Sequence, residues 1–203
     1  ALAMLAGVHP ILAIFIAGPV AALVAVPVAA LIFRLRGAYF AIGTWVLAEL
    51  CRIAVGNTDW LGGASGLTLA RVLRGIPIET RTHGTYWIAL ALAAASIVAL
   101  YLLLRSRFGL AVRTVRDNES SAQSVGIDVG RVKFAVYVIA AFITGCAGAV
   151  AYLNTMFVSA DAAFSVDWVA LIIFVVIIGG IGTLEGPIIG ALVYFALREW
   201  LAD

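Results

Sequence analysis

Three groups of residues in this sequence have types and spacings that could carry function. The first is Arg116-Asp117-Asn118-Glu119-Ser120-Ser121-Ala122, followed by Gly126. Asp and Asn cap a helix because their side-chain oxygens accept the unpaired N–H groups of its first turn. Glu119 then falls in the first turn, where the helix dipole favours an acid, and Gly126 is the natural left-handed stop. This grammar predicts a helix of about two turns, too short to hold itself in water, so its neighbours must brace it. Ala122 and Val125, three apart, form its small apolar face. Such a braced helix is suited to docking on a soluble partner, or it is the ordered part of an ordinary loop. The second group is Glu49 with Arg52 three residues on, and Thr44 a turn earlier. A carboxylate inside an apolar segment is costly, so Glu49 either pairs with Arg52 or, with Thr44, lines a path for solute. The third is Gly182, Gly186 and Gly190 with Pro187. Small residues four apart permit close helix approach, and a proline offers a hinge.

Other chemistry is not indicated. The 203 residues contain no Gly-x4-Gly-Lys-Ser/Thr phosphate loop, so ATP hydrolysis is not assigned to them. His9 and His83 are the two histidines, and Cys51 and Cys146 the two cysteines, both inside apolar stretches. We expect reduced, packed thiols, no metal site, no cofactor and no catalytic residue. A Ser-centred nucleophile elbow is absent as well.

The elements that must position these groups follow from composition. Apolar residues make up 64% of the chain and charged residues 12%, and mean hydropathy is +1.12. A water-facing surface cannot be built from that stock, so the class is all-α and polytopic, with five or six transmembrane helices. Net charge is +2, which suggests no nucleic-acid partner. The apolar segments are 11–33, 39–55, 86–104, 134–152, 168–178 and 188–201. Pro19 and Pro27 should kink the first, and Gly145 and Gly148 give the fourth a small-residue face. The last two flank a glycine-rich break at 179–187 and read as two spans, or as a broken re-entrant element. On the 56–85 side, Leu67–Leu73 is a short amphipathic piece carrying Arg71 and Arg74, or a plain connector. Asn154, Thr155 and Ser159 read as loop polars with no assigned role. Arg34 and Arg36, with Arg105, Arg107, Arg113, Arg116, Arg131 and Lys133, lie in loops on one side, which the positive-inside rule makes cytoplasmic. The loop 105–133 is far longer than a connection needs, and its Phe108–Val115 stretch suits a helix along the membrane surface.

Those motifs resemble a family. Arg105-Ser106-Arg107-Phe108-Gly109, the Asp117–Ala122 run, Gly126-Ile127 and Lys133 together resemble the cytoplasmic loop of branched-chain amino acid ABC transporter permeases of the LivM type. Leu35–Thr44 with Glu49 and Arg52 resembles the early hairpin of that family, and Gly179–Ala191 its C-terminal glycine motif. The resemblance runs over roughly residues 20–200 in matching order. It implies a single permease domain, 1–203, incomplete at its N-terminus, in a bacterial inner membrane. It also implies that 119–126 is the coupling helix received by a groove on an ATP-binding subunit, with Arg116, Asp117, Glu119, Ala122 and Gly126 at that contact. Ser120 and Ser121 stand where the family commonly has small apolar residues. The implied partners are cytoplasmic ATP-binding subunits, a second permease subunit, an extracytoplasmic solute-binding protein and the lipid bilayer. The implied cargo is branched-chain amino acids or related small polar solutes. The chain itself would be a transporter subunit and not an enzyme. Two other classes remain: an ion-coupled transporter or channel, for which Glu49 is the intramembrane charge, and a membrane scaffold subunit.

Overall fold

The computed structural model describes residues 10–35, 37–68 and 78–202. Arg36, Arg71 and Arg74 lie outside the described residues. The elements are α1 (Pro10–Ile32), α2 (Ala38–Gly56), α3 (Ile78–Arg105), α4 (Arg107–Asp117), α5 (Glu119–Ser124), α6 (Val129–Thr155), α7 (Ala160–Ala163), α8 (Val166–Gly179) and α9 (Gly186–Ala202). Between α2 and α3 come two short 3-10 turns, Asp59–Leu61 and Gly63–Ser65, and strand β1 (Leu67–Thr68); β2 (Phe157–Val158) follows α6. Five stretches are long and apolar enough to cross a membrane: Leu12–Ile32, Ala38–Gly56, Thr82–Arg105, Val129–Thr155 and Ala160–Gly179. Helix α9, with 17 residues, extends about 25 Å, close to the thickness of a hydrocarbon core. The fold is therefore all-α and polytopic. Large apolar side chains such as Phe15, Leu23, Trp45, Leu102, Leu192 and Trp200 stand exposed on these helices. Such a surface suits lipid or neighbouring membrane helices and not water.

Residues 1–160 and 161–203 form two compact units. In the first, α1 and α6 pack along much of their length. A Cβ on Gly145 would sit 2.5 Å from Ala21 Cβ and 2.8 Å from the Ala17 carbonyl oxygen, and one on Gly18 would sit 2.6 Å from Cys146 Sγ. Lipid gives apolar helices little reason to associate, so this backbone-to-backbone closeness is what holds them. Gly148 faces open space, so the small-residue face expected at Gly145 and Gly148 is used at Gly145 only. Helix α1 runs as one helix through Pro19 and Pro27. Helix α3 joins the pair through Ile88, Ala89 and Leu92, which pack beside Ile14, Cys146 and Val150. Cys146 is buried, Cys51 half-buried, and both are free. Helix α2 buries no residue.

At the far end of α6, β2 pairs antiparallel with β1, with Leu67 opposite Val158 and Thr68 opposite Phe157. The stretch expected to be a short amphipathic piece or a connector, 67–73, thus begins as a strand, and 69–73 lie outside the described residues. Asn154 and Thr155 are the last residues of α6 and not part of a loop. Helix α3 also starts eight residues before the apolar segment does, because Glu79, Thr82 and His83 tolerate helix though they are not apolar.

The second unit contains an antiparallel hairpin of α8 and α9. Ser165 caps α8 by accepting the Asp167 N–H at 3.1 Å, and the Trp168 indole N–H donates to the Ala162 carbonyl at 3.0 Å. The Phe174 and Tyr194 rings meet edge-on at 6.0 Å.

Candidate functional site

The segment that turns α3 back into α6 is a small folded unit. Ser106 opens α4 by accepting the Gly109 N–H at 3.3 Å. Gly109 has no room for a side chain, since a Cβ would run into the Leu103 and Leu104 carbonyls. That closeness lets α4 leave α3 in a tight bend. Helix α4 is amphipathic: Phe108, Ala111, Val112 and Val115 face inward, and Arg107, Arg113 and Arg116 are exposed. Asn118 caps α5 by accepting the Ser121 N–H at 3.0 Å, while Asp117 closes α4. Gly126 ends α5 at φ +85°. The Gly126 N–H donates to the Gln123 carbonyl and the Ile127 N–H to the Ala122 carbonyl, each at 3.0 Å. This paired pattern is the Schellman stop, and Ile127 supplies its customary apolar contact. Asp128 then caps α6 by accepting the Arg131 N–H at 3.0 Å.

Ala122 is 0% exposed, at the centre of a cluster with Val115, Val129 and Val132. Val125 is 71% exposed. The contact face expected of Ala122 and Val125 therefore divides, because the helix ends at Ser124 and Val125 already leaves the helical path. Ala122 fastens α5 to α4 and α6, and Val125 projects outward.

Residues 105–133 include six basic and three acidic side chains. Each acid is paired within the segment: Asp117 with Arg116 at 3.1 Å, Asp128 with Arg131 at 2.9 Å, and Glu119 with Lys133 at 2.6 Å. The Arg105 guanidinium lies 4.6 Å from the centre of the Tyr101 ring. What remains outward is basic along α4 and uncharged along α5, where Ser120, Gln123, Ser124 and Val125 are exposed. The surface offers shape and positive charge for recognition. It presents no nucleophile–base pair, and among the described residues no cluster of three metal-binding side chains exists.

A family profile described as "Branched-chain amino acid transport system / permease component" matches residues 1–202. The chain belongs to this family of permeases. The high-affinity branched-chain amino acid transport system permease protein LivM of Escherichia coli (strain K12) is 28% identical over 197 residues, covering 85% of this chain and 46% of the relative. The probable LivM of Methanocaldococcus jannaschii is 28% identical over 169 residues, 83% of this chain and 49% of its own length. A ribose import permease protein, RbsC of Bacillus subtilis (strain 168), is 28% identical over 117 residues, 56% of this chain and 36% of the relative. The chain spans about half the length of the LivM relatives it matches. No solved structure matches it.

The other sequence-predicted residues stand on other elements. Glu49 is held by Arg52, whose Nε lies 3.0 Å from both carboxylate oxygens and whose Nη2 lies 2.5 Å from Oε1. Thr44 Oγ1 donates to the Ala41 carbonyl of its own helix at 2.8 Å. Gly179 lies against the Gly186 carbonyl and the Gly190 N, and Gly190 against the Val175 carbonyl, so these glycines bring α8 and α9 of one chain together. Gly182 makes the turn at φ +88°, and Thr183 Oγ1 accepts the Gly186 N–H at 3.1 Å. Pro187 stands in the first turn of α9, where its missing N–H would have no helical partner anyway. Pro187 therefore marks a helix start.

One feature has no counterpart in the sequence reading. A groove of about 700 Å³ lies between α3 and α6, with Thr82, Thr85, Tyr86, Ser96 and Asn154 among its walls. Its polar groups are scattered singly through apolar helices, so the pattern shows only once the helices face each other.

Proposed function

We propose that the chain is the membrane-embedded permease part of an ATP-driven importer, with 105–133 on the cytoplasmic side as the surface that meets an ATP-binding subunit. The supporting observation is the construction of that loop. A six-residue helix is capped at both ends, buried at Ala122 and fastened to the first turns of a helix long enough to cross the membrane. A displacement applied to α5 would therefore be delivered to α6 rather than lost in a floppy connector. Glu119, Ala122 and Gly126 shape and anchor the element, Arg116 and Asp117 flank it, and Val125 with Gln123 presents outward. By the family and its LivM relatives, the cargo is branched-chain amino acids or related small polar solutes. A solute-binding protein would deliver it on the opposite side and a second permease would share the path. The groove between α3 and α6 is a better candidate for lining that path than Thr44 and Glu49, because both of those side chains are spent within α2. The same Glu49–Arg52 pairing weakens an ion-coupled reading, whose charge would have been Glu49.

The test is co-purification in mild detergent of the tagged protein from its own membranes, with mass spectrometry of its companions. The parent should bring an ATP-binding subunit. A Gln123→Arg/Val125→Arg variant, altered only at exposed positions, should lose it by at least about tenfold, as expected when bulk and charge enter an interface core. If the parent brings no ATP-binding subunit, the reading fails.

A further inference from the structure

We propose that Lys133 is a positioning residue for coupling: it holds the Glu119 carboxylate against the start of α6, so that Glu119 serves as an internal clamp and not as a contact for the partner. The inference rests on the coupling role proposed above and specifies how that site works. Glu119 is the first residue of α5 and Lys133 the fifth of α6, and Nζ lies 2.6 Å from Oε1 across 14 positions of sequence. One turn further along α5, Ala122 is enclosed by Val129 and Val132. At the end of α5, the Ile127 N–H closes back on the Ala122 carbonyl at 3.0 Å. That bond closes α5 on itself, so α5 is tied to the head of α6 in two places, by the ion pair at its start and by Ala122 at its middle. Of these two ties, the Glu119–Lys133 pair is the ionic one, and it is partly exposed, at 56% for Glu119 and 42% for Lys133. A pair in that setting adds little to stability. Its loss should therefore leave the fold and the docked partner in place while loosening the transfer of motion from α5 to α6.

The experiment uses the complex purified from its own membranes and placed in vesicles, with radiolabelled leucine as the transport probe. Glu119→Gln and Lys133→Gln should each keep the ATP-binding subunit bound. Each should lower leucine moved per ATP hydrolysed by at least about threefold, the size expected when one ion pair couples two sites. Glu119→Lys should be worse, and the exchange Glu119→Lys/Lys133→Glu should recover most of the loss. Hydrolysis by the same complexes is read alongside; where the parent hydrolyses ATP without moving leucine, the pair is read through the hydrolysis rate, which each single variant should change and the exchange variant should return toward that of the parent. An exchange variant no better than Glu119→Lys would overturn the clamp. So would a single variant that sheds the ATP-binding subunit, because Glu119 or Lys133 would then be touching the partner. Absence of that subunit from the parent complex overturns instead the coupling reading on which the clamp rests.

Discussion

Gly145 and Gly148 share a helix, a depth and a chemistry, yet their surroundings separate them. Gly145 is pressed against α1 and Gly148 faces open space. Gly145→Leu should therefore force α1 away from α6 and cost several kcal/mol, in line with overpacking and then some. Gly148→Leu should be neutral or slightly stabilising, since glycine in a helix interior costs about 0.5–1 kcal/mol relative to alanine. Thermal unfolding of the two variants in detergent, followed by size-exclusion chromatography, checks the contrast; equal losses would mean that α1 and α6 do not pack as described. The sequence marked both glycines as a face, and nothing in their spacing could say which of them meets a partner. Gly126 is the opposite case. Its left-handed role was legible locally, because a stop glycine needs only its own helix. The pairing of Lys133 was illegible for the reverse reason: its partner Glu119 lies 14 residues away, beyond any helical spacing.

The elements divide by the medium that surrounds them. Among the long apolar helices, contact comes from small residues in close approach, as at Gly18, Gly145 and Gly190. In the 105–133 segment, which joins two such helices, the cluster of Val115, Ala122, Val129 and Val132 is instead held by removing side chains from water. Burying one valine there contributes about 1.5–3 kcal/mol. Because α5 is too short to persist alone, an Ala122→Arg substitution should open the segment locally without unfolding the spanning helices. Limited trypsin digestion of the protein in detergent should then cut at Arg113 and Arg116 at least about tenfold faster than in the parent, the rate change that follows from about 1.4 kcal/mol of lost local stability. A Ser120→Arg variant, altered at an exposed position, should be cut at Arg113 and Arg116 at the rate of the parent. If Ala122→Arg digests no faster, Ala122 is not the anchor. The caps of α5 and α6 were readable one residue at a time, at Asn118 and Asp128. The split between inward Ala122 and outward Val125 was not, because it depends on α5 stopping at Ser124 and on α6 arriving beside it.

At the scale of the molecule, the surface itself makes a prediction. Exposed side chains such as Phe15, Trp45, Leu102 and Trp200 lie on several of the apolar helices, so the protein should stay with the membrane pellet through an alkaline carbonate wash and leave it only with detergent. Release by carbonate would contradict the polytopic reading. That reading was determined by the sequence alone: 64% apolar residues with 12% charged leave no way to clothe a soluble domain, and each span announces itself by length and hydropathy. The capped helix in the long loop and the family resemblance were likewise written locally, in neighbouring residues. Tertiary structure alone decided the rest. It placed α1 on α6, set Glu119 on Lys133, paired β1 with β2, and opened the groove between α3 and α6. The physical reason is that hydropathy and capping are properties of consecutive residues. Which faces meet, by contrast, depends on shapes brought together from distant parts of the chain, in a setting where almost every face is equally apolar.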